Sequence, residues 1–347
     1  PLCVTAKNMA LSGGKIQAIL INSGIANACT GEKGVEDAWE TVGYVAQALK
    51  ISADNVAVTS TGKIGEFLPL EKIKEGVKRA ARELRLEGST EAAEAILTTD
   101  TRKKEIAVNY QCGDREIRIG GMAKGSGMIH PNMATMLAFI STDLAIESQL
   151  LQEALSDVVP ETFNMVSVDG DTSTNDMVLL LANGLAGNTL ITEKGNDYYQ
   201  FRKALRIVAE YLTKEIARDG EGATKLIEVK VINAYSESDA KRIAKAVTGS
   251  PLVKTAVYGH DPNWGRILAA VGNSGAKLET NKVDLFLKEK IVSNGQPLSF
   301  SKEVVHKYLA ESEEINILID LKMGEGKATA WGCDLTHEYI NINTKYN

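Results

Sequence analysis

The sequence predicts a mixed α/β (α+β) fold, and three observations lead to this prediction. Short apolar runs typical of buried strands alternate with amphipathic segments of helical periodicity along the chain. The chain has 347 residues, of which 44% are hydrophobic, enough for about two domain cores. The alternation restarts near residue 225. We therefore expect an N-terminal catalytic domain at 1–224 and a smaller C-terminal α+β domain at 225–347, with a boundary near 222–226.

The elements of the N-terminal part follow from their patterns in order. Strands are predicted where apolar runs end in glycine or turn residues, at 14–24, 55–65, 105–110, 115–121, 135–144 and 176–184. Helices are predicted where apolar residues recur three and four positions apart, at 34–50, 70–88, 146–159 and 195–218. Asp219-Gly220 ends the last of these, because glycine suits the residue after a helix.

The C-terminal part repeats the alternation in shorter elements. Strands are predicted at 226–234, 252–258, 282–287, 314–321 and 327–335, and helices at 236–248, 263–271 and 302–311. Short strands and helices that follow one another this closely are typical of a compact α+β unit.

Composition and charge exclude several classes of protein. The net charge is -6 and the basic residues are spread along the chain, which argues against a nucleic-acid partner. No apolar run of about 18 residues and no signal pattern indicates a membrane. Four widely spaced cysteines without a CxxC pair fit a reducing cytoplasm. The start at PLCVTAKNMA, without an initiator methionine, suggests trimming or processing upstream. We expect a cytoplasmic protein whose partners are small molecules or protein subunits.

Four loops combine glycine with hydroxyl, amide or charged groups, at 59–65, 120–135, 167–176 and 218–225. Glycine lets a backbone approach a ligand closely and point its N–H groups at negative charge. Each loop taken alone is better explained as ordinary turn chemistry. None matches a phosphate-binding loop or a dinucleotide fingerprint, so no nucleotide cofactor is predicted.

The four histidines give little support to a conventional catalytic set. The chain has no GxSxG motif for a serine hydrolase. His306 and His337 stand in helix-like and strand-like contexts and are interpreted as structural. His260, in GHDPNWGR, has a functional interpretation, but Asp-Pro-Asn more often forms a turn and helix cap than a metal site. We predict no bound metal.

Thr135, in the segment HPNMATMLAF, has two interpretations. As the β-branched first residue of a buried strand, it is structural. As a nucleophile without histidine, it needs its own α-amino group as base, and that group is free only after the chain is cut. The Thr135 hydroxyl can attack the carbonyl of the small residue Ala134, and hydrolysis of the resulting ester leaves Thr135 as an N-terminus. The ordinary pKa of such an amine, about 7.7–8.0, suits a base at neutral pH.

Several motifs together resemble the bacterial ornithine acetyltransferase family of arginine biosynthesis. The most specific is KGSGMIHPNMATMLAFISTD, and VTSTGKIG, ILTTDT, DGEGATK and GHDPNWGRI occur in the family order over almost the whole chain. The resemblance implies a layered α/β/α sandwich core with a smaller C-terminal α+β domain. It also implies self-cleavage between Ala134 and Thr135 into an α chain, 1–134, and a β chain, 135–347, which assemble as α2β2.

The resemblance further implies a glutamate N-acetyltransferase activity. Thr135 takes acetyl from N-acetylornithine, releases ornithine and passes the acetyl to glutamate, giving N-acetylglutamate by a ping-pong mechanism without a cofactor. Thr61 and Gly62 match the positions that stabilise the oxyanion. Substrate-binding positions match Thr98, Lys124, Thr135, Glu221 and Asn343. A cation or amide suits the substrate carboxylate, and a carboxylate such as Glu221 suits its ammonium.

The sequence leaves other functions open besides acetyl transfer from N-acetylornithine to glutamate. A self-processing amidase or aminopeptidase of similar fold uses water as the acceptor, although such relatives typically carry serine at the cleavage point. An uncleaved amino-acid-binding protein is a third class. The use of acetyl-CoA as a second acetyl donor is also open. Family members extend further before PLCVTAKNMA and carry a Ser or Thr after the position of Asn343 that contacts substrate, so either the sequence is incomplete or those contacts are absent.

Overall fold

A computed structural model describes residues 1–130 and 136–345. Over these residues the protein has a mixed α/β fold with three β-sheets. The helices are α1 (Leu2–Leu11), α2 (Gly31–Leu49), α3 (Leu70–Glu83), α4 (Ser89–Ala95), α5 (Ser148–Val158), α6 (Asn196–Arg218), α7 (Glu237–Thr248), α8 (Pro251–Tyr258), α9 (Trp264–Asn273), α10 (Lys302–Glu311) and α11 (His337–Asn343). The strands are β1 (Ala18–Ile25), β2 (Val56–Lys63), β3 (Lys104–Cys112), β4 (Arg115–Lys124), β5 (Leu137–Thr142), β6 (Val166–Ser167), β7 (Met177–Ala182), β8 (Leu226–Ala234), β9 (Asp284–Leu287), β10 (Glu289–Ser293), β11 (Gln296–Pro297), β12 (Glu314–Asp320) and β13 (Gly326–Cys333).

The chain forms two compact units, each made of several segments. The described part of the first unit comprises 1–125, 136–155 and 173–204, and that of the second comprises 126–130, 156–172 and 205–345. The domain boundary predicted near 222–226 stays a prediction. No helix among the described residues is both long and apolar enough to span a membrane.

The first unit contains two sheets. Strands β1 and β2 form a parallel pair, and the second sheet has the order β3-β4-β5-β7, in which β7 runs parallel to β5 and the other pairs are antiparallel. Val56 and Val58 of β2 are buried with helix α2, whereas Ala57 between them is buried with β5 and β7. Successive side chains of a strand point to opposite faces. Strand β2 is therefore covered on both faces, except at its polar end, which is only half-buried.

The second unit is built on a seven-stranded mixed sheet with the order β11-β10-β9-β12-β8-β13-β6. Strand β8 pairs in parallel with β12 and antiparallel with β13. Between α6 and β8 runs the loop 219–225. The Asp334 carboxylate, just after β13, accepts hydrogen bonds from the backbone N–H groups of Thr224 and Lys225 at 2.8 and 2.9 Å. This carboxylate fixes the end of the loop.

Most predicted elements are confirmed as to type and approximate position. Helix α2 follows the predicted 34–50, α6 follows 195–218 almost residue for residue, and β3 and β4 are the strands predicted at 105–110 and 115–121, paired antiparallel. His306 lies in α10, the helix predicted at 302–311.

The strand predicted at 252–258 is wrong, because this segment forms helix α8. Ser250 is its N-cap and accepts a hydrogen bond from the Val253 N–H, and Pro251 occupies the first turn. Proline suits that position because it has no N–H to leave unpaired. A short apolar run does not by itself distinguish a strand from a buried helix, so the cap and the proline were the decisive signals.

Other differences concern ends and short elements. The helix predicted at 70–88 ends at Glu83, and Leu84 and Leu86 beyond it are 69% and 97% exposed, so the apolar face does not continue. Helices α1, α4 and α11 and the strands β6, β10 and β11 were not predicted. The strand-like context assigned to His337 is wrong, because this exposed residue begins α11.

Candidate functional site

Lys124 is a buried lysine that brings three predicted site residues together. It is the last residue of β4 and is only 4% exposed. Its ammonium donates hydrogen bonds to the Thr98 hydroxyl at 2.8 Å and to the Thr61 hydroxyl at 3.2 Å. A lysine is almost never buried without partners. Lys124 is therefore not a solvated loop charge.

Asp100 anchors this cluster and was not among the predicted site residues. Its carboxylate accepts hydrogen bonds from Lys104 Nζ at 2.7 Å and from the Gly125 N–H at 2.7 Å, and lies 3.8 Å from Lys124 Nζ. Burial alone would raise the pKa of Asp100, but the Lys124 and Lys104 charges and these hydrogen bonds hold it below its usual value. Asp100 therefore stays charged and fixes the Lys124 ammonium beside the two threonines. The motif ILTTDT already contained this signal.

Gly62 follows Thr61 at a place where two strands approach closely. Its φ is +125°, a left-handed value that favours glycine, and a Cβ here would overlap the backbone of Gly24, its partner in the β1–β2 register. The glycine at this position is a structural requirement. It allows β1 and β2 to lie this close together next to Thr61.

Asn175 and Asp176 end the loop before β7 and complete the cluster in the first unit. The Asn175 amide donates to the carbonyls of Ser60, at 3.1 Å, and Ala26. Both carboxylate oxygens of Asp176 are buried without a hydrogen bond. Burial raises the pKa of Asp176 to about 8. The loop 167–176 was predicted as a candidate, but neither residue was singled out, and the signal was a polar pair directly before a buried apolar strand.

The predicted cleavage residues, Ala134 and Thr135, lie outside the described residues. Met136, which follows Thr135 in the chain, is 2% exposed, and its carbonyl accepts a hydrogen bond from the Met177 N–H at 3.1 Å. In the next position, Leu137 of β5 pairs with Lys124 of β4. The strand that Thr135 precedes therefore begins beside the lysine cluster.

Glu221 and Asn343 form a second cluster, within the second unit. Glu221 is 7% exposed, and its carboxylate accepts a hydrogen bond from the Asn343 amide at 2.7 Å. The same amide nitrogen donates to the Tyr339 carbonyl at 3.0 Å. Glu221 does not cap helix α6, because α6 ends at Arg218 and the Glu221 N–H donates to the Ser126 carbonyl at 3.0 Å.

Two glycines shape the surroundings of Glu221. A Cβ on Gly127 would overlap the Glu221 carboxylate, and a Cβ on Gly222, whose φ is +69°, would lie 2.6 Å from the Tyr339 nitrogen. Burial, together with Asp169 and the Glu221 charge, raises the pKa of the Tyr339 hydroxyl. The Glu221 carboxylate thus lies against bare backbone, which leaves little freedom for its side chain to move.

The histidines do not form a metal centre among the described residues. No group of three or more His, Cys, Asp or Glu side chains in this part of the chain has metal-binding geometry. The His306 ring bonds to the His260 carbonyl at 2.8 Å, and the two rings stack edge to face at 5.9 Å. His130, whose pKa is lowered by burial, bonds to the Ser167 hydroxyl at 2.9 Å.

Comparisons with known proteins agree with the resemblance seen in the motifs. Residues 1–347 match the model of the ArgJ family. The arginine biosynthesis bifunctional protein ArgJ of Symbiobacterium thermophilum is 52% identical over 96% of this chain and 83% of its own length. Its counterpart in Bacillus subtilis is 50% identical over 100% of this chain and 84% of its own. A crystal structure of ArgJ from Bacillus halodurans has 48% identity and a TM-score of 0.60, covering 61% of this chain and 100% of that one. The chain belongs to the ArgJ family.

Proposed function

We propose that the protein is a self-cleaving ornithine acetyltransferase of arginine biosynthesis, in which Thr135 carries the acetyl group from N-acetylornithine to glutamate. The observation that carries this proposal is the buried Lys124 ammonium, held between Thr61 and Thr98 and paired in register with Leu137, two residues after Thr135. Acyl transfer through a hydroxyl requires a nucleophile, donors for the oxyanion and groups that hold the substrate. The Lys124 cluster supplies the donors for the oxyanion and the groups that hold the substrate. It lies beside β5, the strand that Thr135 precedes.

Cleavage between Ala134 and Thr135 creates the catalytic base. The Thr135 hydroxyl attacks the Ala134 carbonyl, the acyl chain moves from nitrogen to oxygen, and water hydrolyses the ester. The products are an α chain, 1–134, and a β chain, 135–347, with a free α-amine on Thr135. The Bacillus halodurans chain, matched over its entire length, covers 61% of this chain. Residues 135–347 are 213 of 347, or 61%, so a crystal chain of that coverage has the size of the β chain.

The acetyl group then moves in two steps. The α-amine accepts the Thr135 hydroxyl proton, the oxygen attacks the acetyl carbonyl, and ornithine leaves with that proton. Glutamate attacks the acetyl ester in the second half of the reaction. The Thr61 hydroxyl and the Gly62 N–H stabilise the oxyanion in both halves, because donors aimed at that charge act mainly in the transition state.

The charges of Lys124 and Glu221 indicate which part of the substrate each of them binds. The Lys124 ammonium, oriented by Asp100 and Thr98, binds the substrate α-carboxylate. Glu221 binds the distal ammonium of ornithine. Asn343 already donates both amide hydrogens, to Glu221 and to the Tyr339 carbonyl, so its role is to orient Glu221 rather than to hold a carboxylate.

The remaining parts of the proposal concern assembly, fold detail and location. They are a layered α/β/α core, an α2β2 particle and a cytoplasmic location, and they are supported by the family resemblance. The relatives are named bifunctional, which supports acetyl-CoA as a second acetyl donor. Comparing N-acetylornithine with acetyl-CoA in one transfer assay tests that part.

The Thr135→Ala variant tests the proposal directly. We expect the wild type to consist of two fragments and the variant to remain one chain of 37.4 kDa without transferase activity, both measured by intact mass and acetyl transfer. The wild type should give parallel double-reciprocal plots, and N-acetylornithine alone should add one acetyl group to the β chain. Free acetate released without glutamate would indicate an amidase instead, and an uncut wild type would indicate a binding protein.

A further inference from the structure

Asn175 is a buried amide that ties together three distant parts of the first unit. It lies in the loop before β7 and is 8% exposed. Its side-chain nitrogen donates to the Ser60 carbonyl of β2 at 3.1 Å and to the Ala26 carbonyl just after β1. These partners are 115 and 149 residues away in the chain. An amide nitrogen has two hydrogens to donate, so both are used to hold backbone carbonyls.

The contact with Ala26 continues to the far side of the two oxyanion residues. The Ala26 N–H donates to the carbonyl of Lys63, the last residue of β2, at 2.8 Å. A ring of contacts is thereby closed, which runs along the chain from Ser60 to Lys63, across to Ala26, and through the buried amide back to Ser60. Thr61 and Gly62 are the two residues enclosed by this ring.

The backbone inside the ring has a conformation that needs support. Gly62 has a φ of +125° and lies against the backbone of Gly24. An uncommon backbone conformation persists where the surrounding structure determines it. The Ser60 carbonyl lies in one plane with the Thr61 nitrogen, because a peptide group is planar. The amide and the Ala26 N–H therefore fix the peptide groups on both sides of the one that carries the Gly62 N–H.

We propose that Asn175 is a positioning residue for the oxyanion donors: its amide holds the backbone from Ser60 to Lys63, so that the Thr61 hydroxyl and the Gly62 N–H stay aimed at the reacting carbonyl. The inference rests on the proposed function and deepens it. Donors of this kind are effective because they are oriented before the reaction begins, and a displacement of about 1 Å costs about 100-fold in rate.

Two substitutions separate the lost donors from the lost volume. N175A removes the amide. N175D keeps its shape and the oxygen that accepts from the Thr174 hydroxyl at 3.0 Å, but a carboxylate donates no hydrogen bond. We expect both variants to lower kcat for acetyl transfer, per cut chain counted by intact mass, by about 10- to 100-fold. KM should change little, because the donors act in the transition state.

The matched control is N183D in the loop after β7. Asn183 is exposed, and its side-chain oxygen accepts from the Leu185 N–H at 3.0 Å, which an aspartate also does. This variant should keep the wild-type kcat. A wild-type kcat in N175A and N175D would overturn the inference, and so would a raised KM with an unchanged kcat, because that result would place Asn175 in ground-state binding.

A double-mutant cycle with Thr61→Ala distinguishes positioning from a general loss of stability. If Asn175 acts through Thr61 and Gly62, the double variant should lose less kcat than the product of the two single losses, because residues that act together are not additive. Losses that multiply fully would overturn the inference, since Asn175 would then act independently of Thr61.

Hydrogen exchange examines the backbone directly and does not depend on cleavage. In a Thr135→Ala background, N175A should speed up exchange of the amides from Ser60 to Lys63 by about 10-fold, while the β3–β4 pair exchanges at the parental rate. Parental exchange from Ser60 to Lys63 would overturn the inference even if N175A did not cut. A wild-type chain that neither cuts nor transfers acetyl would overturn the proposed function, whereas the exchange result would still show whether Asn175 holds this backbone.

Discussion

At the scale of single residues, the environment of Lys124 sets what the first unit can bind. A buried ammonium is costly unless charged and polar partners replace water, and here Asp100, Thr61 and Thr98 do so. Asp100 is shared with Lys104, which lies 2.7 Å from its other oxygen. One carboxylate thus serves two ammonium groups. An anionic substrate group is the natural additional partner of such a cluster.

Replacing Lys124 by methionine keeps an unbranched side chain, one atom shorter, and removes the charge. We expect KM for N-acetylornithine to rise about 10- to 100-fold, the equivalent of a charge-assisted hydrogen bond of about 1.5–3 kcal/mol, with a smaller change in kcat. Steady-state kinetics provide the measurement. Lys103→Met is the control, because Lys103 is an exposed lysine paired with Glu105. A normal KM in the Lys124 variant would remove it from substrate binding.

Gly62→Ala tests the close approach of β1 and β2. The new Cβ would meet the Gly24 backbone at a left-handed φ of +125°, so we expect a loss of stability of about 1–3 kcal/mol and loss of acetyl transfer. The melting temperature and kcat provide the measurements. Gly43→Ala, in helix α2 with open space around its Cβ, should instead stabilise by about 0.5–1 kcal/mol. Wild-type behaviour of Gly62→Ala would show that the strands can separate there.

At the scale of elements, helix α11 shows how a short helix controls a distant loop. The Thr336 hydroxyl accepts hydrogen bonds from the Glu338 and Tyr339 N–H groups, as an N-cap does, and donates to the Gly222 carbonyl at 2.7 Å. One side chain therefore starts α11 and holds the residue after Glu221. Stability and site geometry are joined at this residue.

Thr336→Ala should consequently have two effects. Loss of the cap should lower the free energy of unfolding by about 1 kcal/mol, and release of Gly222 should raise KM for N-acetylornithine, because Glu221 loses its fixed position. Chemical denaturation and kinetics measure the two effects separately. Ser301→Ala removes the corresponding cap of α10, where Ser301 accepts from the Val304 N–H, and should lower stability alone. Equal kinetics of the two variants would argue against the coupling.

The same elements show how much the sequence could predict. Helices such as α6 were predictable because a long apolar face repeats many times. Helix α8 was missed because eight residues contain too few repeats, so its capping serine and proline carried the information. Lys124, Thr98 and Glu221 were found only through a motif resemblance. Burial of a lysine depends on partners such as Thr61, 63 residues away in the chain, and local patterns do not encode such pairings.

At the scale of the whole molecule, two carboxylates pull the pH dependence of stability in opposite directions. Burial alone would raise the pKa of Asp284. Hydrogen bonds from Lys290, Lys322 and the Asn294 N–H outweigh this effect and lower the pKa to about 2. Its stabilisation is present above its unfolded pKa and is lost as the pH falls toward 2. Asp176 behaves oppositely, because its pKa is raised to about 8. The combined contribution of these two carboxylates to stability is therefore greatest in mildly acidic solution.

Replacing Asp176 by asparagine should therefore stabilise the uncut chain at alkaline pH. The folded pKa of about 8 lies above the unfolded value of 3.8, so the folded protein binds the extra proton and loses stability as the pH rises from about 4 to 8. Asparagine has nearly the shape of the protonated acid and carries no charge to bury. In a Thr135→Ala background, which keeps the chain in one piece, D176N should match its parent near pH 4, exceed it in melting temperature by pH 7 and keep that advantage above pH 8. Asp284→Asn, compared over the same series, should differ most from the parent at neutral pH and least near pH 2. Parallel melting curves for D176N and its parent across the whole range would mean that the buried carboxyl titrates normally.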